Sequence, residues 1–123
     1  SLQIVGRSLT DPSPGSSRAF LWNAAKDMQD LGQLPGFGRS EATGINDHGV
    51  VVGTSLNATF DERAFLVPPN NLGNLIDLGS LAGTWSRAVA INNHGQIAGN
   101  TLLSEDLTRA YVWEVRFVSR LED

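Results

Sequence analysis

The sequence contains no cysteine, which excludes disulfide frameworks, thiolate zinc sites and cysteine nucleophiles. It has a single lysine, Lys26, and charged residues make up only 18% of its 123 residues. The net charge of -4 argues against a nucleic-acid partner, because a protein that binds nucleic acid normally presents a basic stripe. No apolar run approaches the ~18 residues that a membrane helix needs, so no membrane insertion is expected. The composition therefore predicts one soluble globular domain and leaves its compartment open, the cytoplasm included.

An internal repeat of four short segments occupies almost the whole chain. We name the segments A (Arg-Ala-Phe), B (Asp-Leu-Gly), C (Ala-x-x-Ile-Asn) and D (Val-Val-Gly). Segment A stands at residues 18–22, 63–67 and 109–113, B at 30–32 and 77–79, C at 40–46 and 86–92, and D at 3–8, 50–55 and 96–101. The period of roughly 46 residues is typical of repeat architectures. The sequence thus predicts a single β-repeat domain over 1–123, with a D strand at 3–8, repeats at 18–55 and 63–101, and a partial repeat at 109–119.

Each unit is predicted to form four short β-strands, because its apolar runs are brief, rich in Val, Ile, Leu and aromatic residues, and bounded by turn-forming residues. The strongest turn signals are Asn-Asp-His-Gly at 46–49 and Asn-Asn-His-Gly at 92–95, which predict hairpins that join C to D. No helix is expected, since residues 23–29 lack a helical apolar stripe and are interpreted as a turn.

The four motifs, in this order, resemble the HAF repeat family, whose units read His-Ala-Phe-Leu-Trp, Asp-Leu-Gly-x-Leu-Gly-Gly, Ser-x-Ala-x-x-Ile-Asn and Gly-x-Val-Val-Gly. Arg18, Arg63 and Arg109 stand where the family has His, and Pro35 and Ala82 replace the first Gly of its Gly-Gly. The resemblance implies an all-β, propeller-like repeat protein of bacteria, in extracellular or cell-surface chains. It implies no characterised activity and supplies no site residues.

The number of units decides between two all-β architectures. A propeller blade is a four-stranded antiparallel sheet of about 40 to 45 residues, and closure takes at least about four blades. With about 2.5 units, propeller-like blades would make the chain a fragment or require a ring completed by self-association. The alternative is a closed threefold β fold, a β-trefoil or β-prism, in which roughly three four-stranded units suit this length.

The residues that invite a catalytic or metal-binding role repeat from unit to unit. They are His48 and His94, Asp30 and Asp77, and Ser40 and Ser86. The histidines share a turn position and are expected a blade width apart, which favours structural turn roles over a metal site. The aspartates are equivalent, whereas acid–base catalysis needs two different environments, and neither serine lies in a nucleophile elbow. We therefore expect no enzyme activity, no metal and no cofactor.

The repeated arginines of segment A offer another hypothesis. Arg18, Arg63 and Arg109 would form an anion-binding ring if they faced a common axis. The alternative is that they pair with nearby carboxylates such as Glu62 or cover aromatic faces.

Two loop aromatics, Phe37 and Trp85, lie in the B–C connections at positions that the repeats do not share. Aromatic residues in loops on a rigid β scaffold are typical contact residues for a ligand or partner. The sequence therefore predicts a non-enzymatic β-repeat scaffold or binding module that recognises a protein or glycan through loop residues, with self-association. The alternative is a purely structural spacer or propeller fragment that has no ligand of its own.

Overall fold

The computed structural model describes residues 3–8, 17–32, 34, 38–57, 61–69, 74–78, 85–104 and 107–114, and every regular element among them is a β-strand. The strands are β1 (Gln3–Ser8), β2 (Arg18–Asn23), β3 (Asp27–Gly32), β4 (Arg39–Ile45), β5 (Val51–Leu56), β6 (Glu62–Val67), β7 (Ile76–Asp77), β8 (Ser86–Ile91), β9 (Gln96–Ser104) and β10 (Leu107–Glu114). Their β-branched and aromatic residues fit a pleated, half-buried surface. The predicted all-β class is confirmed.

The strands form three antiparallel sheets, ordered β1-β2-β3, β4-β5-β6-β7 and β10-β9-β8. In terms of the sequence segments, the sheets read D-A-B, C-D-A-B and C-D-A. A sheet therefore begins with segment C, and the chain passes from sheet to sheet in the B–C connection. The repeats predicted at 18–55 and 63–101 are out of phase with the sheets, because a sequence repeat has no intrinsic starting point. The last part of the predicted partial repeat, residues 115–119, lies outside the described residues.

The second sheet lies between the other two and contributes one face to each of two apolar cores. The core shared with the first sheet contains Ala19, Leu21, Leu31, Leu34, Ala42, Val51, Phe65 and Val67. The core shared with the third sheet contains Val50, Val52, Ala64, Leu66, Ala88 and Ile97. Since successive side chains of a strand point to opposite faces, Val51 faces the first sheet and Val52 the third. Burial on both faces explains the unbroken valine run of segment D.

Segment D carries a glycine because an aromatic ring of segment A packs directly on its backbone. Gly53 pairs with Phe65 across β5 and β6. A Cβ at Gly53 would lie 2.7 Å from the Phe65 ring and would overlap the Glu41 carbonyl oxygen. A Cβ at the equivalent Gly99 would lie 2.7 Å from the Trp113 ring. The central strand of each of these two sheets therefore has no space for a side chain at this position.

The predicted C–D hairpins are confirmed. The side-chain Oδ1 of Asn46 accepts hydrogen bonds from the backbone N–H groups of His48 and Val50, both at 3.0 Å. Gly49 has a φ of 84°, the left-handed conformation that glycine adopts at no steric cost. Asn92 makes the same two bonds in the second turn. The local asparagine cap and the positive-φ glycine thus explain why these four-residue motifs reverse the chain.

The A–B turn is shorter than the sequence predicts. β2 ends at Asn23, whose side chain accepts two backbone hydrogen bonds from the turn, and β3 begins at Asp27. The turn is therefore confined to residues 24–26, and the interpretation of 23–29 as one turn is wrong at its C-terminal end. Pairing with the apolar strand β2 extends this polar stretch into a strand, an effect that local composition does not indicate.

Candidate functional site

The antiparallel order places the connections of each sheet at two opposite ends. The C–D turns, 46–49 and 92–95, lie at one end with the A–B turn, and we call it the turn end. The B–C and D–A connections lie at the other, the loop end. Trp85 immediately precedes β8 and so lies at the loop end. Phe37 belongs to the preceding B–C connection and lies outside the described residues.

A cleft of about 300 Å³ opens at the loop end, and we call it the loop-end cleft. Charged and hydroxyl side chains dominate its lining: Arg7, Arg39, Glu41, Thr54, Glu62 and Arg87. These residues come from strands of all three sheets. The cleft therefore brings side chains of both charges together where the three sheets meet.

A bidentate ion pair in the cleft joins the second sheet to the third. The Arg87 guanidinium donates from Nε to Glu62 Oε1 at 2.7 Å and from a terminal nitrogen to Oε2 at 2.8 Å. Two parallel charge-assisted bonds fix the plane of both groups. The hydrogen bond to Glu62 raises the pKa of Arg87, against the smaller lowering effect of partial burial. The guanidinium is therefore a permanent, oriented cation at the wall of the cleft.

Trp85 stands beside this ion pair. The guanidinium carbon of Arg87 lies 5.8 Å from the centre of the Trp85 ring, within the range of a cation–π contact. The Trp85 carbonyl oxygen accepts a hydrogen bond of 3.2 Å from the Thr101 hydroxyl, which ties the residue to the neighbouring strand β9. The predicted contact residue Trp85 is thus placed against the charged cleft on a fixed backbone.

Thr54 contributes an unpaired hydroxyl to the cleft. Its Oγ1 is buried and has no hydrogen-bond partner among the described residues. Buried hydroxyl groups in folded proteins are nearly always paired, because an unmade hydrogen bond costs about 1–3 kcal/mol. A polar atom placed in the cleft would supply the missing hydrogen-bond partner.

Two of the three repeated arginines of segment A form ion pairs within their own sheets. Arg18 pairs with Asp30 at 3.2 Å and Arg63 with Asp77 at 3.1 Å, in each case from segment A to segment B. Pairing with carboxylates was one of the two predicted alternatives, although the partners are these aspartates and not Glu62. Arg109 lies on β10, and its side chain is outside the described part of the structure.

Ser40, Ser86 and Asp30 make hydrogen bonds within the fold. Ser40 is buried, accepts a hydrogen bond from the Ala19 backbone N–H at 2.8 Å and donates one to the Gly32 carbonyl at 2.7 Å. Ser86 accepts the equivalent bond from Ala64 at 3.0 Å. Each serine therefore joins its sheet to the preceding one. Asp30 accepts from the backbone N–H of Gly32, which confirms a local turn cap.

A second cleft, of about 480 Å³, lies at the turn end, and both histidines line it. The two turns that carry His48 and His94 are in direct contact, and the expected separation of the histidines by a blade width stays a prediction. The backbone N–H of Asp47 donates to the Asn93 side chain at 2.7 Å. Within the described residues no group of three His, Asp or Glu side chains is placed to hold a metal ion.

Sequence reasoning missed the charged residues of the loop-end cleft. The available signal was disagreement between repeats at equivalent positions. These positions hold Arg7, Thr54 and Asn100 in segment D, Glu41 and Arg87 in segment C, Arg39 and Trp85 just before segment C, and Ser17, Glu62 and Thr108 just before the arginine of segment A. Where a scaffold repeats, side chains that do not repeat are free to serve a ligand.

Comparison with protein-family models, with curated proteins and with solved structures finds no match. The resemblance to the HAF repeat family therefore stays a prediction from the motifs. None of the described segments is a helix with the length and apolar character needed to cross a membrane.

Proposed function

We propose that this chain is a non-enzymatic β-repeat binding module whose ligand occupies the loop-end cleft. The observation that carries the proposal is the bidentate Arg87–Glu62 pair beside Trp85, in a cleft lined by the side chains in which the repeats differ. The buried, unpaired Thr54 hydroxyl supports it, since among the described residues no partner satisfies this group.

The chemistry of the cleft favours an acidic glycan. Arginines present donors for a carboxylate, and Glu41 and Glu62 present acceptors for sugar hydroxyls. Trp85 lies against Arg87 of this lining, and its ring suits the apolar face of a sugar. The volume of about 300 Å³ matches the lower end of small-ligand sites. A protein partner is the alternative, and it would need a wider contact of about 800 Å² on each side.

The wider setting of the module is part of the same proposal. The three-sheet arrangement and the resemblance to HAF repeats support propeller-like blades in a secreted or cell-surface protein of bacteria. In such blades each sheet is an antiparallel meander, as the second sheet is. A closed threefold fold is the alternative architecture.

Glycan binding tests the proposal directly. Wild-type protein would be applied to immobilised uronic-acid and neutral oligosaccharides, and a retained glycan would be titrated by calorimetry. Trp85→Ala and Arg87→Gln are each expected to weaken binding by about tenfold or more, since they remove a stacking face or a charged donor. Phe37→Ala is expected to weaken it as well if this second loop aromatic is a contact.

The matched control is Lys26→Gln, which removes one exposed positive charge at the turn end. It should leave the affinity unchanged. Binding that survives both Trp85→Ala and Arg87→Gln would contradict the assignment of the cleft. Retention of a protein fragment but of no glycan would favour the protein alternative, and absence of both would favour a purely structural spacer.

A further inference from the structure

The two outer faces of the three-sheet stack expose residues whose equivalents are buried inside it. We call the outward face of the first sheet the N-face; it carries Ile4 and Met28, with Phe20 and Trp22 beside them. We call the outward face of the third sheet the C-face; it carries Val89, Ala90, Ala98 and Val112. Each face is the uncovered counterpart of a face that another sheet covers within the same chain.

The N-face matches the face that the second sheet presents to the first. Ile4 is 46% exposed, whereas its equivalents Val51 and Ile97 are fully buried at 0%. Met28 is 56% exposed, whereas its equivalent Leu75 packs against the first core. The difference lies in the neighbours and not in the residue type, since all of these side chains are apolar.

The ion pair on the N-face is also compatible with the packing of another sheet. The Arg18–Asp30 ion pair lies on the side of the first sheet that carries Phe20. The second sheet places the Arg63–Asp77 pair in the same position on the side that faces the first sheet. A sheet packed on the N-face would therefore contact a surface equivalent to the one that the first sheet covers on the second sheet.

The C-face is equivalent to the face that the first sheet presents to the second, and to the face that the second sheet presents to the third. Val112 is 53% exposed, whereas Leu21 and Leu66 at the equivalent positions are 6% and 2% exposed. Val89 is 49% exposed. Its equivalent Thr43 faces the third sheet and donates to the Ala88 carbonyl at 2.9 Å.

We propose that the C-face of one copy of this chain binds the N-face of a second copy, head to tail. A second copy fits these faces because the chain already packs the equivalents of the C-face and the N-face against each other twice, in the cores between its own sheets. Such a heterologous contact generates either a closed ring or an open series of copies. The proposal does not depend on the loop-end cleft or its ligand.

Complementary surface variants test the contact by sedimentation velocity of the whole chain. Val112→Arg alters the C-face and Met28→Arg the N-face, and each should weaken self-association by about 100-fold or more by placing an unpaired charge in an apolar contact. An equimolar mixture should recover discrete dimers, because each variant retains one intact face. Recovery also shows that both variants are folded, and circular dichroism of each alone provides a second check.

The matched control is Ile76→Arg, an exposed apolar residue of the second sheet that lies on neither end face; it should associate as wild type does. A wild-type chain that stays monomeric at millimolar concentration would overturn the proposal. So would a Met28→Arg variant that still dimerises, since this would indicate a symmetric contact between C-faces. An Ile76→Arg variant that fails to associate would point to non-specific apolar contact and overturn it equally.

Discussion

The turn end and the loop end belong to the same strands, but they follow different rules. At the turn end both C–D turns keep the same Asn, His and Gly, and the two turns bond to each other: Asn46 Nδ2 donates to the Asn92 carbonyl at 3.1 Å and Asn93 Nδ2 to Asp47 Oδ2 at 2.8 Å. At the loop end equivalent positions hold unlike residues, such as Glu41 and Arg87. A shared turn motif thus shapes the turn end, whereas unlike residues line the cleft at the loop end.

This division does not coincide with the two ends at every residue. Ser40 lines the loop-end cleft, yet it is buried and makes the same bond to the preceding sheet as Ser86 does. The useful distinction is therefore between repeated and varied positions. Repeated positions such as Ser40 and Ser86 make the same contact between sheets, whereas varied positions such as Glu62 and Arg87 make contacts that only one pair of sheets has.

The largest expected effect separates two glycines that differ in this respect. Gly53→Ala should destabilise the fold by about 3 kcal/mol or more, because the new methyl group would collide with the Glu41 carbonyl and the Phe65 ring. Gly38→Ala at the loop end meets nothing within 4 Å and should change stability by less than about 0.5 kcal/mol. Urea unfolding followed by circular dichroism measures both. Equal losses in the two variants would break the comparison.

A smaller effect is expected at the turn end, where the equivalent residues Asn46 and Asn92 differ in burial. Asn46→Ala removes two accepted bonds within the turn and the donated bond to the Asn92 carbonyl. Asn46 is only 8% exposed, so we expect a loss of about 2–3 kcal/mol. Asn92→Ala, in an exposed turn, should cost about 1 kcal/mol.

The same unfolding experiment ranks the two asparagine variants, with Asn93→Ala as a control that keeps both turn caps. An Asn92→Ala variant as unstable as Asn46→Ala would show that the local cap, and not the contact between turns, stabilises this end. A clear difference between them would assign the remainder to the bond between the sheets.

Much of the fold could be predicted because the repeat multiplies weak local signals. The hairpin at 46–49 and its copy at 92–95 carry the same asparagine and glycine, and both form the predicted turn. The phase of the sheets could not be predicted, since a periodic sequence does not say which strand of the unit begins a sheet. The length of β3 was missed because pairing with β2, a non-local interaction, extends it.

Of the proposed site, the sequence indicates only a residue that stands out by its type and place. Trp85 stands out as a loop aromatic, and the structure places it beside Arg87. Arg87 and Glu62 lie 25 residues apart, and their pairing depends on how the second and third sheets stack. Sequence spacing does not contain that distance.

The smallest expected effect concerns the ion pair of the loop-end cleft. Arg87→Gln and Glu62→Gln should each change stability by less than about 1 kcal/mol, because the Arg87 side chain is 50% exposed and a solvated ion pair stabilises little. The pKa of Arg87 is raised in the folded state, so its contribution is fully present below the unfolded pKa and is lost only as pH rises through the folded one. Stability measured between about pH 6 and 9 should therefore show no slope from this group. A loss as large as that of Asn46→Ala would show that the Arg87–Glu62 pair stabilises the packing of the second sheet on the third as strongly as the turn contact does.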